Sequence, residues 1–194
     1  YTDGNFGALT LGVEIEISTV AKVWTGAGGT DLNADNSLNW EPAGVPLPGE
    51  RVLFDGAVSN LDCQWNLYGA QAGPVTLGNG YSGTVRVVSP FGGYNTLASA
   101  SDVAVNSGTL DLGIQTDLTV EGRLLVMGGT LDLGQGYNNV RLSAEGLKVG
   151  AGGTLRALAG LLALAAALAP AAAQDGPYTV LQLHAPQPGM FGMF

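Results

Sequence analysis

Cysteine occurs once in this 194-residue chain, as Cys63, so no disulfide can form within it, and a lone thiol among apolar neighbours is most simply a small core residue. Histidine also occurs once, at His184, with no Ser–His–Asp spacing and no metal-ligand cluster around it, which makes it a surface or core residue rather than a catalyst. Cations are scarce: seven Lys and Arg stand against sixteen Asp and Glu, a formal charge of −9. Binding to nucleic acid needs clustered Lys and Arg to neutralise phosphate, and docking on anionic lipid needs the same, so both are excluded as expectations. The longest apolar run, residues 155–173, is Ala-rich and short of the ~20 residues that span a bilayer, so no membrane insertion is expected. Its Arg156, apolar run and Ala-Pro-Ala-like end look like a secretion signal, but the position deep in the chain removes that reading. Walker loops, zinc spacings and dinucleotide fingerprints are absent too.

What is abundant is glycine, 31 residues of it, beside a hydrophobic content of 46%, which is too apolar for a disordered linker and points to short strands joined by tight turns. Four segments share one pattern: Ser82-Gly83-Thr84-Val85-Arg86-Val87, Ser107-Gly108-Thr109-Leu110-Asp111-Leu112, Gly128-Gly129-Thr130-Leu131-Asp132-Leu133 and Gly152-Gly153-Thr154-Leu155-Arg156-Ala157. Their second glycines are 25, 21 and 24 residues apart, a period in which each unit is one rung of a solenoid. Within a unit the Gly turns the chain, Thr opens a strand, and Leu or Val alternates with Asp or Arg, so that one face is buried and the other meets water. Further short strands, Val103–Val105, Leu118–Val120, Leu124–Val126, Val140–Leu142 and Leu147–Val149, give two or three strands per rung. A single rung cannot bury its Leu and Val alone; stacking does it. The expected fold is therefore all-β, a single-stranded right-handed parallel β-solenoid with an N-terminal strand arm and an aromatic-rich cap. Residues 155–173 enter this fold either as Ala-rich closing rungs or as a capping helix.

Residues 23 to 56 read Val23-Trp24-Thr25-Gly26, then a Gly/Asp/Asn loop, then Asn39-Trp40-Glu41-Pro42-Ala43-Gly44-Val45-Pro46-Leu47-Pro48-Gly49-Glu50-Arg51-Val52-Leu53-Phe54-Asp55-Gly56. The order W-T-G, N-W, P-x-P-G, V-x-F resembles the opening segment of autotransporter-passenger-like repeat proteins of bacterial surfaces. Tyr178-Thr179-Val180-Leu181 followed by Gly189-Met190-Phe191-Gly192 is similar to the ending of the same solenoids. The resemblance implies the fold and an extracellular or cell-surface location. It does not imply the autotransporter secretion route, since no outer-membrane barrel of alternating ~10-residue strands follows, and it implies little chemistry. The start at Tyr1 fits a mature product whose secretion signal has been removed, or a trimmed chain.

Several residues are candidates for a specific role. Trp24, Trp40, Phe54 and Trp65 are large enough to lid the first rung, with Pro42, Pro46 and Pro48 denying hydrogen bonds to an added strand; the alternative is that the rings stack on a sugar. Asp31, Asn33, Asp35 and Ser37 have the 1, 3, 5, 7 oxygen spacing of a calcium loop, although Asn36 stands at the sixth position and Pro42 at the twelfth; the alternative is a solvated turn. Asp111 and Asp132 follow equivalent Thr-Leu pairs and should stack on one solvent face, with no Lys, Arg or His recurring beside them. Ahead of the cap, residues 8–20 alternate strictly, with Leu9, Leu11, Val13, Ile15 and Ile17 on one side. Such a strand either pairs with its own solenoid's edge or is donated to a neighbour as an assembly interface.

The organisation expected is an N-terminal strand arm over 1–22, a cap and first rungs over 23–68, and solenoid rungs with a closing segment over 69–194. The function expected is a non-catalytic structural subunit of an extracellular filament or surface layer, joining head to tail with copies of itself and with no cofactor beyond possible calcium. The alternative is an adhesin module that binds surface polysaccharide; a polysaccharide lyase on a β-helix is the third reading.

Overall fold

The Gly-Thr-Leu repeats fold as their period requires. The computed structural model describes residues 20–89, 93–113, 115–134 and 141–156. Two strands, β1 (Lys22–Trp24) and β2 (Trp40–Glu41), precede the coils. The first coil is β3 (Val52–Asp55), β4 (Cys63–Trp65) and β5 (Gln71–Ala72); the second is β6 (Val75–Gly78), β7 (Thr84–Val87) and β8 (Asn95–Ser99). The third is β9 (Val103–Val105), β10 (Thr109–Leu112) and β11 (Thr116–Val120), and the fourth β12 (Arg123–Val126), β13 (Thr130–Asp132) and β14 (Arg141–Ser143). A fifth begins with β15 (Gly146–Val149) and β16 (Thr154–Arg156). Apart from one 3-10 turn at Ser37–Asn39, the described chain is all-β, and it is a β-solenoid.

Each coil gives one strand to each of three sheets. The first sheet runs β15-β12-β9-β6-β3-β1-β2, the second β16-β13-β10-β7-β4 and the third β14-β11-β8-β5. All coil-to-coil pairings are parallel, and the repeat glycines foreshadow their register: Thr84, Thr109, Thr130 and Thr154 stand opposite one another, as do Val85, Leu110, Leu131 and Leu155. Equivalent residues of the first sheet are Val52, Val75, Val103, Leu124 and Leu147, so the coil length varies between 21 and 28 residues. The variation is absorbed at two of the three corners: between the first and second sheets the chain takes seven, five, three and three residues in successive coils. Between the second and third sheets the chain takes five, seven, three and eight residues in successive coils, whereas the corner between the third and first sheets takes only two or three.

Alternation then places the core. Phe54, Leu77, Val105 and Val126 of the first sheet, Val87 and Leu112 of the second, and Leu97 and Leu118 of the third are all fully buried. Each such side chain contributes roughly 1.5–3 kcal/mol, and none is buried by its own coil alone. The buried polar residues sit at strand ends and answer carbonyls there: Asn95 Nδ2 donates to the Trp65 and Val88 oxygens at 3.0 and 2.7 Å, and Ser99 Oγ to the Gly73 oxygen at 2.7 Å. Coils approach closely at Gly153, where an added methyl group would overlap the Val126 carbonyl oxygen.

Lys22, the last residue of the expected arm, is the first residue of β1 and is part of the first sheet through its pairing with Val52. Residues 1–19 and 157–194 lie outside the described residues, and with them the interface residues Leu9, Leu11, Val13, Ile15 and Ile17, the single His184, and the choice between strand and helix after Arg156.

Leu131 tests the inward assignment. It is fully buried between Leu110 and Leu155, so Leu131→Asp should lower stability by several kcal/mol, since a carboxylate there has no polar partner in the column. Circular dichroism melting reads the loss, and an unchanged melt would contradict the assignment.

Candidate functional site

The N-terminal end carries the densest set of specific interactions, because three strand edges must be covered there. The segment between β1 and β3 covers all three. β2 pairs antiparallel with β1, Trp24 opposite Trp40, and ends the first sheet. The second sheet's edge strand β4 is bridged at Gln64 by Asn33: Gln64 N donates to the Leu32 oxygen and Ala34 N to the Gln64 oxygen, both at 2.9 Å. The third sheet's edge strand β5 is met by the chain before β3, with Gly49 N donating to the Gln71 oxygen at 2.9 Å and Gly73 N to the Glu50 oxygen at 2.7 Å.

Beneath this cover Trp24, Trp40, Phe54 and Trp65 come together. Trp24 and Trp40 meet edge to face at 5.1 Å between ring centres, both lie 6.0 Å from Phe54, and Trp40 reaches Trp65 at 6.4 Å. Tyr81, which carried no sequence signal of its own, extends the column at 5.5 Å from Phe54. The indole N–H of Trp24 donates to the Leu61 oxygen and that of Trp40 to the Ala34 oxygen, while the Tyr81 hydroxyl donates to the Leu61 oxygen. None of these rings is more than 2% exposed, so none offers a face on which a sugar could stack.

The Asp31–Ser37 loop is organised by a residue that sequence reasoning missed as a participant. Asn39 is fully buried; its Oδ1 accepts from Gly28 N at 2.7 Å, and its Nδ2 donates to the Asp31 and Asn33 backbone oxygens at 2.7 and 2.9 Å. Asp31 and Asn33 are brought together: Asp31 Oδ1 accepts from the Asn33 side-chain amide at 2.6 Å, and Oδ2 from that of Asn36. Asp35 is exposed and linked through its backbone N–H to the Asn66 side chain, and Ser37 opens the 3-10 turn. Both Asp31 carboxylate oxygens thus accept from side-chain amides, and among the described residues no three His, Cys, Asp or Glu side chains converge as metal ligands. Lys22 adds a further tie, its ammonium donating to the Pro42 and Ala43 oxygens at 3.0 and 3.3 Å.

On the outer face of the second sheet, register stacks Gln64, Arg86, Asp111, Asp132 and Arg156 in one column. The expectation that no cation stands beside the two aspartates is corrected: Arg86 Nε lies 2.7 Å from Asp111 Oδ2, and Arg156 is in register with Asp132. The repeats align Arg with Asp because coils of unequal length still bring equivalent positions opposite each other. With the Arg86 side chain 60% exposed, this pair is an ordinary surface ion pair, worth about 1 kcal/mol or less. At the corner before β12, Arg123 donates to Asp102 through both its guanidinium and its backbone N–H, which holds the Asp102 carboxyl below the usual carboxylate range.

Cys63 lies in β4 and is buried, and that burial, with the nearby Asp62 charge adding to it, pushes its thiol well above the ordinary range. Burial raises the Tyr81 phenol too. No helix among the described residues is long and apolar enough to cross a membrane. No family model matches the chain, and no curated protein or solved structure matches it significantly.

Two outcomes follow from this geometry. Asn39→Ala removes three hydrogen bonds made by a fully buried side chain and should lower stability by roughly 1–3 kcal/mol in urea unfolding; thermal melting should be indifferent to a calcium chelator, and a chelator-dependent melting temperature would instead give the loop a bound ion. The folded Cys63 stays protonated where an unfolded thiol ionises, so stability falls as pH rises above about 8.5. Thiol labelling at pH 8 should accordingly require unfolding, and rapid labelling of the native chain would contradict the burial.

Proposed function

We propose that the chain is a non-catalytic structural subunit of an extracellular or cell-surface filament or layer, which joins its own copies head to tail by strand addition. The observation that carries this reading is the parallel stacking of the coils, in which each sheet grows by adding one strand to an edge. At the N-terminal end all three sheet edges are met by residues 33 to 50 of the same chain.

A strand edge with open N–H and C=O groups is a template for another strand. Residues 8–20 have the alternation to fill such an edge on another copy, and they precede β1 at the N-terminal end of the solenoid, so the acceptor edge is proposed at the other end. Donor and acceptor at opposite ends make a heterologous contact, which propagates instead of closing. The acidic balance, the burial of the single cysteine and the amide-filled Asp31 loop support a scaffold role in preference to chemistry.

Deleting residues 1–20 should leave a folded, cooperatively melting solenoid that no longer forms fibres in electron micrographs, while the full chain does. Fibres from the truncated chain, or a full chain that stays monomeric at high concentration, would overturn strand donation.

A further inference from the structure

The three outer faces of the solenoid differ in chemistry. On the first sheet, Val23, Leu53, Thr76, Ala104, Leu125 and Lys148 stand in one register column, one from each parallel strand. The first five alternate with the buried Trp24, Phe54, Leu77, Val105 and Val126, so the column faces outward, and those five are half-buried. Val23, Leu53, Ala104 and Leu125 make it mainly aliphatic. The corresponding columns of the other sheets are polar or charged: Gln64, Arg86, Asp111, Asp132 and Arg156 on the second, and Gln71, Ala98 and Thr119 on the third. Strands apolar on both faces are those that a second layer covers, and among the described residues no layer lies on this face.

The charges at the margins of this column identify its occupant. Arg51 stands two residues before Leu53 and Asp55 two residues after it, so both lie on the outward side, at opposite margins of the aliphatic column. Arg51 is exposed; Asp55 is half-buried, and its Oδ1 accepts from Ala57 N and Asn79 Nδ2. A two-fold axis parallel to the solenoid lays a second copy face to face, keeps coil against coil and exchanges the two margins. Leu53 then meets the second copy's Leu53, and Arg51 meets Asp55 twice, a self-complementary contact of the isologous kind. Area sets its strength. Five residues of strand by six strands span roughly 17 by 29 Å, about 500 Å² per copy against the ~800 Å² of a stable interface. One pair of chains therefore associates weakly, and copies joined head to tail multiply the contact.

We infer that the outward face of the first sheet is a contact surface for a second copy of this chain, joined side by side about a two-fold axis parallel to the solenoid. The inference rests on the reading of the chain as a self-assembling subunit, and it does not depend on strand donation.

The test is cross-linking of the full chain by a short bis-maleimide that reaches the ~10 Å between packed sheets, in about 0.15 M salt, which screens the like charge of two −9 chains. Cys63 is buried, so Leu53→Cys supplies the reactive thiol, and Thr119→Cys, exposed on the third sheet, is the control. Leu53→Cys should give covalent dimers and Thr119→Cys only monomers. Adding Arg51→Glu to Leu53→Cys breaks two ion pairs per dimer and should cut the dimer yield about fivefold. Adding Leu125→Lys instead should abolish it, since two ammonium groups would be buried in the contact. Circular dichroism melts should show every variant folded, because all four positions face outward. No dimer from Leu53→Cys, equal yields from both cysteines, or an undiminished yield in both further variants would each overturn the contact. So would a Leu53→Cys thiol that no simple maleimide labels in the native chain, because another part of the chain then covers the face. Micrographs score fibres separately: fibres without cross-links at Leu53 overturn this contact and leave the filament standing, and cross-links without fibres do the reverse.

Discussion

The pairing of each strand with the strand one coil away is the interaction on which everything else in this molecule depends. Among the described residues no coil has a second layer to pack against; its inward Leu, Val and Phe side chains are covered by the coils above and below and by the other two sheets of the same turn. Register between coils is therefore under strong constraint, because a slip of one residue would turn Leu110 and Leu112 outward and Asp111 inward. The corner between the third and first sheets is held to two or three residues, with a methyl-free Gly73 and Gly122 fitted against neighbouring backbone. The other two corners carry the slack.

Stacked coils have a consequence that a closed sheet does not: both ends expose backbone and apolar cross-section. The N-terminal end meets this with a single loop region that makes three different kinds of cover. There is an antiparallel strand for one sheet, a bridge at Asn33 for the second and backbone bonds from Gly49 and to Glu50 for the third. Such a loop holds its shape only if its own polar groups are answered, which is the work of Asn39 inside it and of Lys22 against the chain after Pro42. The aromatic column below fills the wide cross-section that short aliphatics would leave void. Cap, column and hydrogen-bonded loop are one unit, and the proposed polarity of assembly is the polarity that unit creates.

The charged surface follows from the same stacking. Asp111 and Asp132 look like a repulsive pair when the repeats are read as text, yet each has an arginine in register on its other side. The ordering Arg, Asp, Asp, Arg balances the charges along that column.

How much was legible beforehand differs by level. The sequence alone determined the fold class: Gly-Thr-Leu-x-Leu units at intervals of 21 to 25 residues dictate stacked strands, and period-two alternation names Leu110, Leu112 and Leu131 as inward residues without any coordinates. It also marked Trp24, Trp40, Phe54 and Trp65 as belonging to the first rungs. What only the tertiary structure decided is which distant residues meet: Arg86 with Asp111 across 25 positions, Tyr81 with Phe54, Asn33 with Gln64, and Glu50 with Gly73. Local pattern fixes the direction of each side chain within its own strand. Partners one coil away depend on the summed lengths of the intervening corners, and those lengths, three residues in one coil and eight in the next, are set by packing across the whole turn.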